Sequence, residues 1–286
     1  MGRLKVAVIV VLATAVVIAA VVALGALRWE AGAQALRRRL ETARAPLVPQ
    51  RVDFRELDGL PAPAQRYFRT VLRDGQPIIA AAGVRHTGTF NMSETAEHWR
   101  HFESTQRVIT RPPGFVWDAR IRMAPGVTIF VHDAYAAGEG SLVAKLLGLV
   151  TVMQHPRTPE LAHGELMRFL AEAAWYPTAL LPSQGARWQA VDDTRASVTL
   201  TDGRTTVTLV IAFDAQGLIS TVRADGRHRL VDGAQTVTPW QGRFWNYQKH
   251  GGMLVPLDGE VAWLLADGPT PYWRGHIGEI TYEFAR

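Results

Sequence analysis

Three charged residues near the middle of the chain have a spacing that could bring them into one site. Glu165, Arg168 and Glu172 are three and four residues apart, so in a helix they lie along one face. If that face lines a cavity, Arg168 is suited to hold an anionic headgroup. If the face is solvated, the same residues form ion pairs worth about a few tenths of a kcal/mol. The sequence leaves both interpretations open.

Asp133 is a further acidic candidate, so an acid/base catalyst would use Glu165, Glu172 or Asp133. No other pattern typical of an enzyme accompanies them. The chain has no cysteine, which excludes thiolate catalysis and disulfides. It also contains neither a Gly-x-Ser-x-Gly elbow nor a phosphate-binding Gly-Lys loop, so two common catalytic motifs are missing. An enzyme is therefore the second interpretation, behind a binding protein.

Aromatic residues are the candidates for an apolar binding surface. Tryptophan and tyrosine side chains suit pockets for acyl chains or rings, although they also fill the core of any large curved sheet. The predicted ligand-binding residues combine such aromatics with the charged helix face: Arg168, Glu165, Phe169, Trp175, Trp117, Tyr135 and Trp188.

The histidines do not predict a metal site. His98 and His101 are three residues apart in a predicted strand, so their side chains point to opposite faces of the sheet. Glu160 and His163 have a Glu-x-x-His spacing, but a di-iron site needs a second such pair and two further carboxylates, which the sequence does not supply. We therefore predict neither a metal nor another cofactor.

An apolar segment near the N-terminus predicts a single-pass membrane anchor. Residues 6–27 contain no charged side chain, and a helix of this length spans about 33 Å, enough to cross the hydrocarbon core. The apolar region of a cleavable signal peptide is shorter, about 7–15 residues, although the small residues that follow leave cleavage open. The positive-inside rule alone favours a cytoplasmic domain. Because only a short segment precedes the anchor, as in signal anchors, we expect the domain to be extracytoplasmic.

The distribution of charge argues against a nucleic-acid partner. The formal net charge is +5, but the whole basic excess lies in residues 1–45, where it can meet anionic lipid headgroups. The rest of the chain is balanced, whereas a nucleic-acid-binding protein needs a basic surface. The expected partners are the membrane, through residues 6–27, and a lipid or other apolar small molecule.

The elements that must position these side chains are mostly β-strands. Apolar and polar residues alternate over 115–123, 207–213 and 279–284, which is typical of an antiparallel sheet wetted on one face. Asp-Gly and Gly-Gly turns recur between such segments, so we expect about eleven strands joined as a meander.

The segment 115–123 predicts which side chains are buried. Trp117 and Ile121 share one face of the strand, and Arg120 and Arg122 share the other. Because one face of the sheet is apolar, we expect the first pair to be buried and the second pair to be solvated.

One helix is predicted to cover the apolar face of the sheet. It spans 159–175, with Thr158 as its N-cap and a proline in the first turn. An apolar sheet face must be covered, so we expect Leu166, Phe169 and Leu170 to pack against the sheet. Trp175 is expected near the rim.

The predicted organisation is one anchor and one domain. It comprises a short flank (1–5), a transmembrane helix (6–27), a basic juxtamembrane linker (28–59) and a single β-rich domain (60–286) with a helical insert near 139–180. The fold class is mainly β (α+β): a long curved antiparallel meander sheet, or half-barrel, covered by a central helix.

Two segments carry a resemblance to a known family. Residues 164–172 (GELMRFLAE) followed by 175–182 (WYPTALLP) resemble a signature of an uncharacterised bacterial family of membrane-anchored proteins. Shorter matches lie at 67–68, 114–117 and 133–135, and the resemblance covers most of residues 60–286. The family brings no established activity. The predicted architecture is also similar to the lipoprotein-carrier half-barrel of bacterial envelopes, which implies a lipid ligand only by analogy.

The leading hypothesis is therefore a membrane-anchored domain that binds a lipid or other apolar ligand in a concave sheet closed by the predicted helix. The alternatives are an acid/base enzyme and a protein-interaction scaffold. A deep apolar cavity would separate a binding protein from a scaffold, and carboxylates converging within that cavity would favour the enzyme.

Overall fold

Thirteen strands form one antiparallel sheet in the computed structural model, which describes residues 2–93, 96–231 and 234–285. The strands are β1 (Ile79–Asn91), β2 (Trp99–Ile109), β3 (Gly114–Ala124), β4 (Val127–Ala136), β5 (Glu139–Leu146), β6 (Val150–Gln154), β7 (Arg187–Ala190), β8 (Arg195–Asp202), β9 (Thr205–Phe213), β10 (Ile219–Val231), β11 (Ala234–His250), β12 (Met253–Leu265) and β13 (Gly268–Phe284). The helices are α1 (Gly2–Ala43), α2 (Ala62–Val71) and α3 (Pro159–Ala171), with short 3-10 helices at Phe54–Leu57, Glu172–Trp175, Pro177–Leu180 and Pro182–Gln184.

The sheet consists of two meanders that meet at its centre. Strands β1 to β6 lead outward from the centre to one edge, and β7 to β13 return from the other edge until β13 pairs with β1. The segment with α3 joins the two edges across the concave face. This arrangement confirms the predicted mainly β half-barrel covered by a helix, with thirteen strands rather than eleven.

The helical insert was predicted to begin too early. Residues 139–154 form the hairpin β5–β6 rather than a helix. A short apolar run fits a buried strand as well as a helix, and Leu147 and Gly148 have φ values of 52° and 72°. Two consecutive positive φ angles are typical of a tight hairpin turn, so the chain reverses where a helix would continue.

The helix α3 begins as its capping residues predict. The Thr158 side chain accepts a hydrogen bond from the Leu161 N–H, and Pro159 lies in the first turn. Leu166, Phe169 and Leu170 are all buried in the core beneath the helix, which confirms their predicted packing.

Trp175 was predicted near the rim, and this was wrong. The α-helix ends at Ala171 and a 3-10 turn carries Trp175 over the centre of the sheet. Its ring centroid lies 5.0 Å from that of His86, 5.9 Å from that of Phe244 and 6.4 Å from that of Trp273. The tighter turn changes the direction of the side chain, which helical spacing alone does not foresee.

The helix α1 continues beyond its apolar part and packs on the convex face of the sheet. Residues 28–43 are helical and not a linker, because Trp29, Ala33 and Leu40 are buried against β2, β3 and β4. The Trp29 ring stacks on His132 with centroids 3.6 Å apart, and its indole N–H donates to Asp118 Oδ1 at 2.9 Å.

The two faces of β3 have the predicted residues. Trp117 and Ile121 are buried on the concave side, and Arg120 and Arg122 are exposed on the convex side. Asp118 is the exception on the convex face, because α1 covers it. Burial raises the pKa of Asp118, against the lowering effects of Trp29 and Arg37.

The two ends of the sheet differ, and we name them by their relation to α1. The helix first meets the sheet at the β5–β6 turn (147–149), where a Cβ on Gly25 would overlap the Leu147 carbonyl oxygen. We call this the proximal end, and the opposite end the distal end. At the distal end α2 fills the concavity, with Tyr67 and Phe68 buried against the rings of Phe213 and Trp188.

Trp29→Phe is expected to lower the free energy of unfolding by about 1–3 kcal/mol, because the buried Asp118 loses its indole donor. The measurement is urea unfolding of the full chain in a mild detergent. The matched control is Trp245→Phe, since Trp245 is 45% exposed and its substitution should change the free energy by less than about 0.5 kcal/mol. Equal losses in the two variants would show that α1 does not stabilise the sheet.

Candidate functional site

A cavity of about 700 Å³ lies between α3 and the concave face of the sheet. Its walls come from α3, from strands β3 to β6 on one side and from strands β10 to β13 on the other. Many of its lining side chains are aliphatic or aromatic, including Ile121, Ile129, Val131, Leu142, Trp240, Val261, Trp263 and Trp273. Pockets for small molecules have volumes of about 300–1,000 Å³ and mostly apolar walls, so this cavity is the candidate binding site.

The polarity of the cavity changes along its length. On β4, Ile129, Val131 and Asp133 line the cavity at two-residue intervals, as alternation along a strand requires. Ile121 of β3 lies opposite Ile129, and Trp117 lies opposite Asp133. With a rise of about 3.3 Å per residue, Asp133 lies roughly 13 Å further from the proximal end than Ile129. On the wall formed by β3 and β4 the proximal part is therefore apolar and Asp133 lies at depth, whereas on the opposite wall Arg229 of β10 lines the cavity near the proximal end.

Arg168 is at the centre of the charged part. Its Nη1 lies 2.6 Å from Asp133 Oδ2, and its Nε lies 2.7 Å from Glu172 Oε1. Its guanidinium carbon is 4.8 Å from the ring centroid of Phe115 and 5.0 Å from that of Trp117. Burial would lower the pKa of Arg168, but the two carboxylates outweigh it and raise that pKa. The positive charge of Arg168 is therefore compensated by two carboxylates of the chain itself.

Glu165 is buried beside Asp133, and Arg227 Nη2 lies 3.5 Å from its Oε1. Burial raises the pKa of Glu165 well above its ordinary value, and the charge of Asp133 raises it further, although Arg227 and Arg168 oppose the shift. Glu165 Oε2 and Asp133 Oδ1 are buried without a hydrogen-bond partner among the described residues, and the raised pKa favours the protonated form of Glu165. With that proton in place, two guanidinium charges balance the charges of Asp133 and Glu172.

Three neutral donors lie beside the charged side chains: Gln106 behind Glu172, and Trp117 and Trp175 in the cavity wall. Gln106 Nε2 donates to Glu172 Oε2 at 2.5 Å. The indole N–H groups of Trp117 and Trp175, which both line the cavity, have no acceptor within the described part of the chain. A buried donor without a partner is costly, so these two N–H groups are the natural partners for an acceptor oxygen of a ligand.

Six of the nine residues predicted for the site line the cavity together. They are Glu165, Glu172, Asp133, Arg168, Trp175 and Trp117. Whether these residues bind a ligand or catalyse a reaction stays a prediction.

The other three predicted residues lie outside the cavity. Phe169 packs in the core with its ring centroid 5.3 Å from that of Tyr176. The Tyr135 hydroxyl donates to Asp202 at 2.8 Å, which connects β4 to the end of β8. Trp188 donates to the Leu180 carbonyl oxygen. The contacts of these three side chains are thus with the protein itself.

Arg227 and Gln106 belong to the charged part of the site, and the sequence analysis missed both. Gln106 is on the inward face of β2, but a single glutamine in an alternating strand carries no specific signal. Arg227 follows a bulge at residues 225–226, where the register between β10 and β11 shifts. A bulge changes which face the next residues occupy, so simple alternation assigns Arg227 to the wrong side.

Within residues 2–93, 96–231 and 234–285, no group of three histidine or acidic side chains is arranged to hold a metal ion. His163 lies beside His228, with ring centroids 6.4 Å apart, and Glu160 is exposed at the start of α3.

Glu165→Gln tests whether Glu165 is protonated in the folded protein. Because the folded-state pKa of Glu165 is raised above its unfolded value of 4.5, its contribution to stability is present below that value and is lost as the pH rises. The amide of the variant has nearly the same shape as the protonated carboxyl group and is neutral at every pH. We therefore expect the variant to gain stability relative to the wild type as the pH rises above 4.5, measured by unfolding at a series of pH values.

The matched control for this prediction is Glu160→Gln, because Glu160 is exposed on the same helix. The stability of the variant must be compared with that of the wild type at each pH, because other titratable groups change the stability in the opposite direction. Burial lowers the pKa of His86 from 6.5 to about 3. The contribution of His86 to the stability of the fold is therefore lost as the pH falls below 6.5. Parallel pH profiles for Glu165→Gln and the wild type would show that the pKa of Glu165 is not raised in the folded protein.

Comparisons with known proteins give a family and two distant structural similarities. The model of a family described as "Family of unknown function (DUF6920)" matches residues 58–282, and the chain belongs to this family. No curated protein matches the chain.

Two solved structures show the distant similarities. A LolA superfamily protein from Nitrosomonas europaea has 12% sequence identity and a TM-score of 0.30, with 87% of this chain and 93% of that chain covered. A beta-barrel-like protein of the domain of unknown function DUF1849 from Brucella abortus has 11% identity and a TM-score of 0.23, with 72% of this chain and 99% of that chain covered.

Proposed function

We propose that this member of the DUF6920 family is a membrane-anchored protein whose domain binds a lipid or other apolar ligand in the cavity beneath α3. The observation that carries the proposal is the cavity of about 700 Å³, which has many apolar side chains in its walls and a buried polar cluster at depth. Protein interiors are otherwise close-packed, with few voids larger than a water molecule. A protein-interaction scaffold has no use for such an internal space.

The charges of the inner cluster favour an uncharged polar group on the ligand. With the proton on Glu165, two ionised carboxylates balance two guanidinium groups. An added anion or cation would be buried without a counter-ion, which is strongly unfavourable. A hydroxyl or carbonyl oxygen instead can accept a hydrogen bond from the Trp117 or Trp175 N–H. We therefore propose a neutral amphiphile with a small oxygen-containing polar group.

The proposed anchor is the apolar part of α1, with the domain on the extracytoplasmic side. This helix is long and apolar enough to cross a membrane, although a signal sequence passes the same test. Residues 2–24 are exposed, as expected of a segment that contacts lipid. The small residues at 31–35, where a signal peptide would be cleaved, lie within the part of α1 that packs on the sheet. Cleavage there would remove Trp29 from its contact with Asp118, which supports a retained anchor.

Native mass spectrometry of the full chain, released from detergent in the gas phase, tests the proposal. We expect a bound neutral amphiphile on the wild type and its loss in Ala144→Phe, because Ala144 lines the cavity and the larger ring would project into the space of the ligand. The matched control is Val143→Phe, on the other face of the same strand, which should retain the ligand. A wild-type chain that carries no ligand from its native membrane would contradict the proposal.

A second candidate, an acid/base enzyme, is favoured by one observation, the carboxyl pair of Glu165 and Asp133 in the cavity. A buried carboxyl with a raised pKa can act as a general acid near neutral pH. If the pair is catalytic, the molecule bound to Glu165→Gln should be an unconverted substrate with a mass different from that of the wild-type ligand. Identical masses in the two proteins would leave binding as the function.

A further inference from the structure

The apolar part of α1 leaves the domain at the proximal end of the sheet. Gly25 contacts the β5–β6 turn, and Gly25 is only two residues from the end of the uncharged run at Leu27. With a rise of about 1.5 Å per residue, this turn therefore lies within about 3 Å of the level at which the apolar run ends. If residues 6–27 cross a bilayer, the turn lies at its surface.

Other turns lie at the same level as the β5–β6 turn. The register pairs Leu146 with Ile129 across β5 and β4, and Ala124 with Val127 where β3 turns into β4. Across β2 and β1 the register places Trp99 opposite Asn91, so the β1–β2 connection also lies at this end. A row of hairpin connections therefore faces the same direction as the apolar part of α1.

Exposed apolar side chains are concentrated at this end. Outside α1, nine large hydrophobic side chains of the described residues are exposed, and six of them lie at the proximal end. These six are Met92, Val127, Val150, Val152, Met153 and Val237. Exposed apolar patches on a protein surface indicate contact with another protein or with a membrane. The direction of α1 favours the membrane.

The cavity opens at the same end. Met92 on the β1–β2 connection and Val152 and Met153 on β6 both line the cavity and are at least 40% exposed. Leu265 and Thr270, on either side of the β12–β13 turn, line it as well. At the distal end, by contrast, α2 is packed into the concavity. The opening through which a ligand would enter the cavity thus lies among the exposed apolar residues.

We infer that the proximal end of the sheet rests on the surface of the bilayer, so that the mouth of the cavity opens onto lipid. This contact implies a route for the ligand, which rests on the proposed function. The neutral amphiphile passes between the membrane and the cavity without crossing water. The apolar proximal part of the β3–β4 wall and the Trp117 and Trp175 N–H groups at depth, which are unpaired among the described residues, suit a molecule whose small polar group enters first and is held by these donors.

Fluorescence quenching by lipid in the full chain tests this contact. The chain has no native cysteine, so single cysteines can replace Met92, Val127 and Val152 at the proximal end and Gln216 at the distal end. Each variant is labelled with a small fluorophore and placed in phosphatidylcholine nanodiscs that contain a spin-labelled phosphatidylcholine quencher. We expect loss of fluorescence at the three proximal positions and none at Gln216, which is exposed in the turn before β10.

The pattern of quenching decides the inference. Absence of quenching at the proximal positions, or equal quenching at all four, would overturn it. Energy transfer between proximal labels on two chains, without quenching by lipid, would also overturn it, because a second copy would then cover the mouth.

The ligand is measured separately, so the two proposals can fail independently. Ala144→Phe should keep the quenching pattern while it loses the ligand. Quenching in a wild-type chain that carries no ligand would leave the membrane contact standing and remove the binding function. A ligand-loaded chain without proximal quenching would leave the binding function standing and remove the membrane contact.

Discussion

Arg168→Met is expected to destabilise the folded chain by about 3–5 kcal/mol, because removal of one partner leaves buried charges uncompensated. The guanidinium of Arg168 neutralises both Asp133 and Glu172, and its side chain is only 16% exposed. Methionine has a similar length and an apolar side chain, so the change removes the charge with little change in volume. Urea unfolding of the full chain in detergent gives the free energy.

Two control variants separate the loss of charge from the loss of packing. Arg122→Met removes an exposed partner of Glu103, and such surface pairs contribute about 0–1 kcal/mol. In the second control, Asp133→Asn and Glu172→Gln are added to Arg168→Met, so that no unpaired carboxylate remains. This triple variant should recover most of the lost stability. If it is no more stable than Arg168→Met alone, packing and not charge explains the effect.

Phe169→Ala is expected to lower the free energy of unfolding by about 3–5 kcal/mol, as is usual for a buried aromatic side chain. Phe169 is 1% exposed and packs beside Tyr176 in the core beneath α3. Because the ring does not line the cavity, we expect the variant to keep its ligand under conditions in which it is folded. Unfolding and native mass spectrometry on the same preparation measure both quantities.

Trp175→Phe is the matched comparison, because Trp175 does line the cavity. The change keeps an aromatic ring, but phenylalanine is smaller than tryptophan, so we expect the free energy of unfolding to fall by about 0.5–3 kcal/mol. It removes the indole N–H that has no acceptor among the described residues, so the occupancy by ligand should fall. Loss of ligand in Phe169→Ala but not in Trp175→Phe would show that the ligand does not lie in this cavity.

Local patterns were sufficient for most of the elements. The strand alternation around Trp117 and Ile121 and the capping of α3 at Thr158 depend on residues close in sequence, and both agree with the structure. The same local reasoning failed at residues 139–154, where an apolar run is equally compatible with two conformations. There the turn at Leu147 and Gly148 and the pairing of β5 with β4 decide the outcome.

The second half of α1 shows a different limit of prediction from local sequence patterns. Its basic residues and small side chains look like a solvated linker, yet Trp29 and Leu40 are buried against the convex face. A residue on the outward face of a strand, such as Asp118, is exposed unless another element covers it. The alternation of residues within β3 cannot indicate that α1, which lies far earlier in the chain, covers Asp118.

The sequence by itself determined the apolar segment, the mainly β class and the helix that covers the sheet, because periodicity and capping are properties of neighbouring residues. It also placed Glu165 and Arg168 on one helix, with Glu172 at the end of that helix. Only the tertiary structure decided what that helix faces. Asp133 and Arg227 come from strands on opposite halves of the sheet and meet at α3. Alternation assigns a side chain to a face of its strand, but strand order, register and bulges determine which side chains from distant parts of the chain converge.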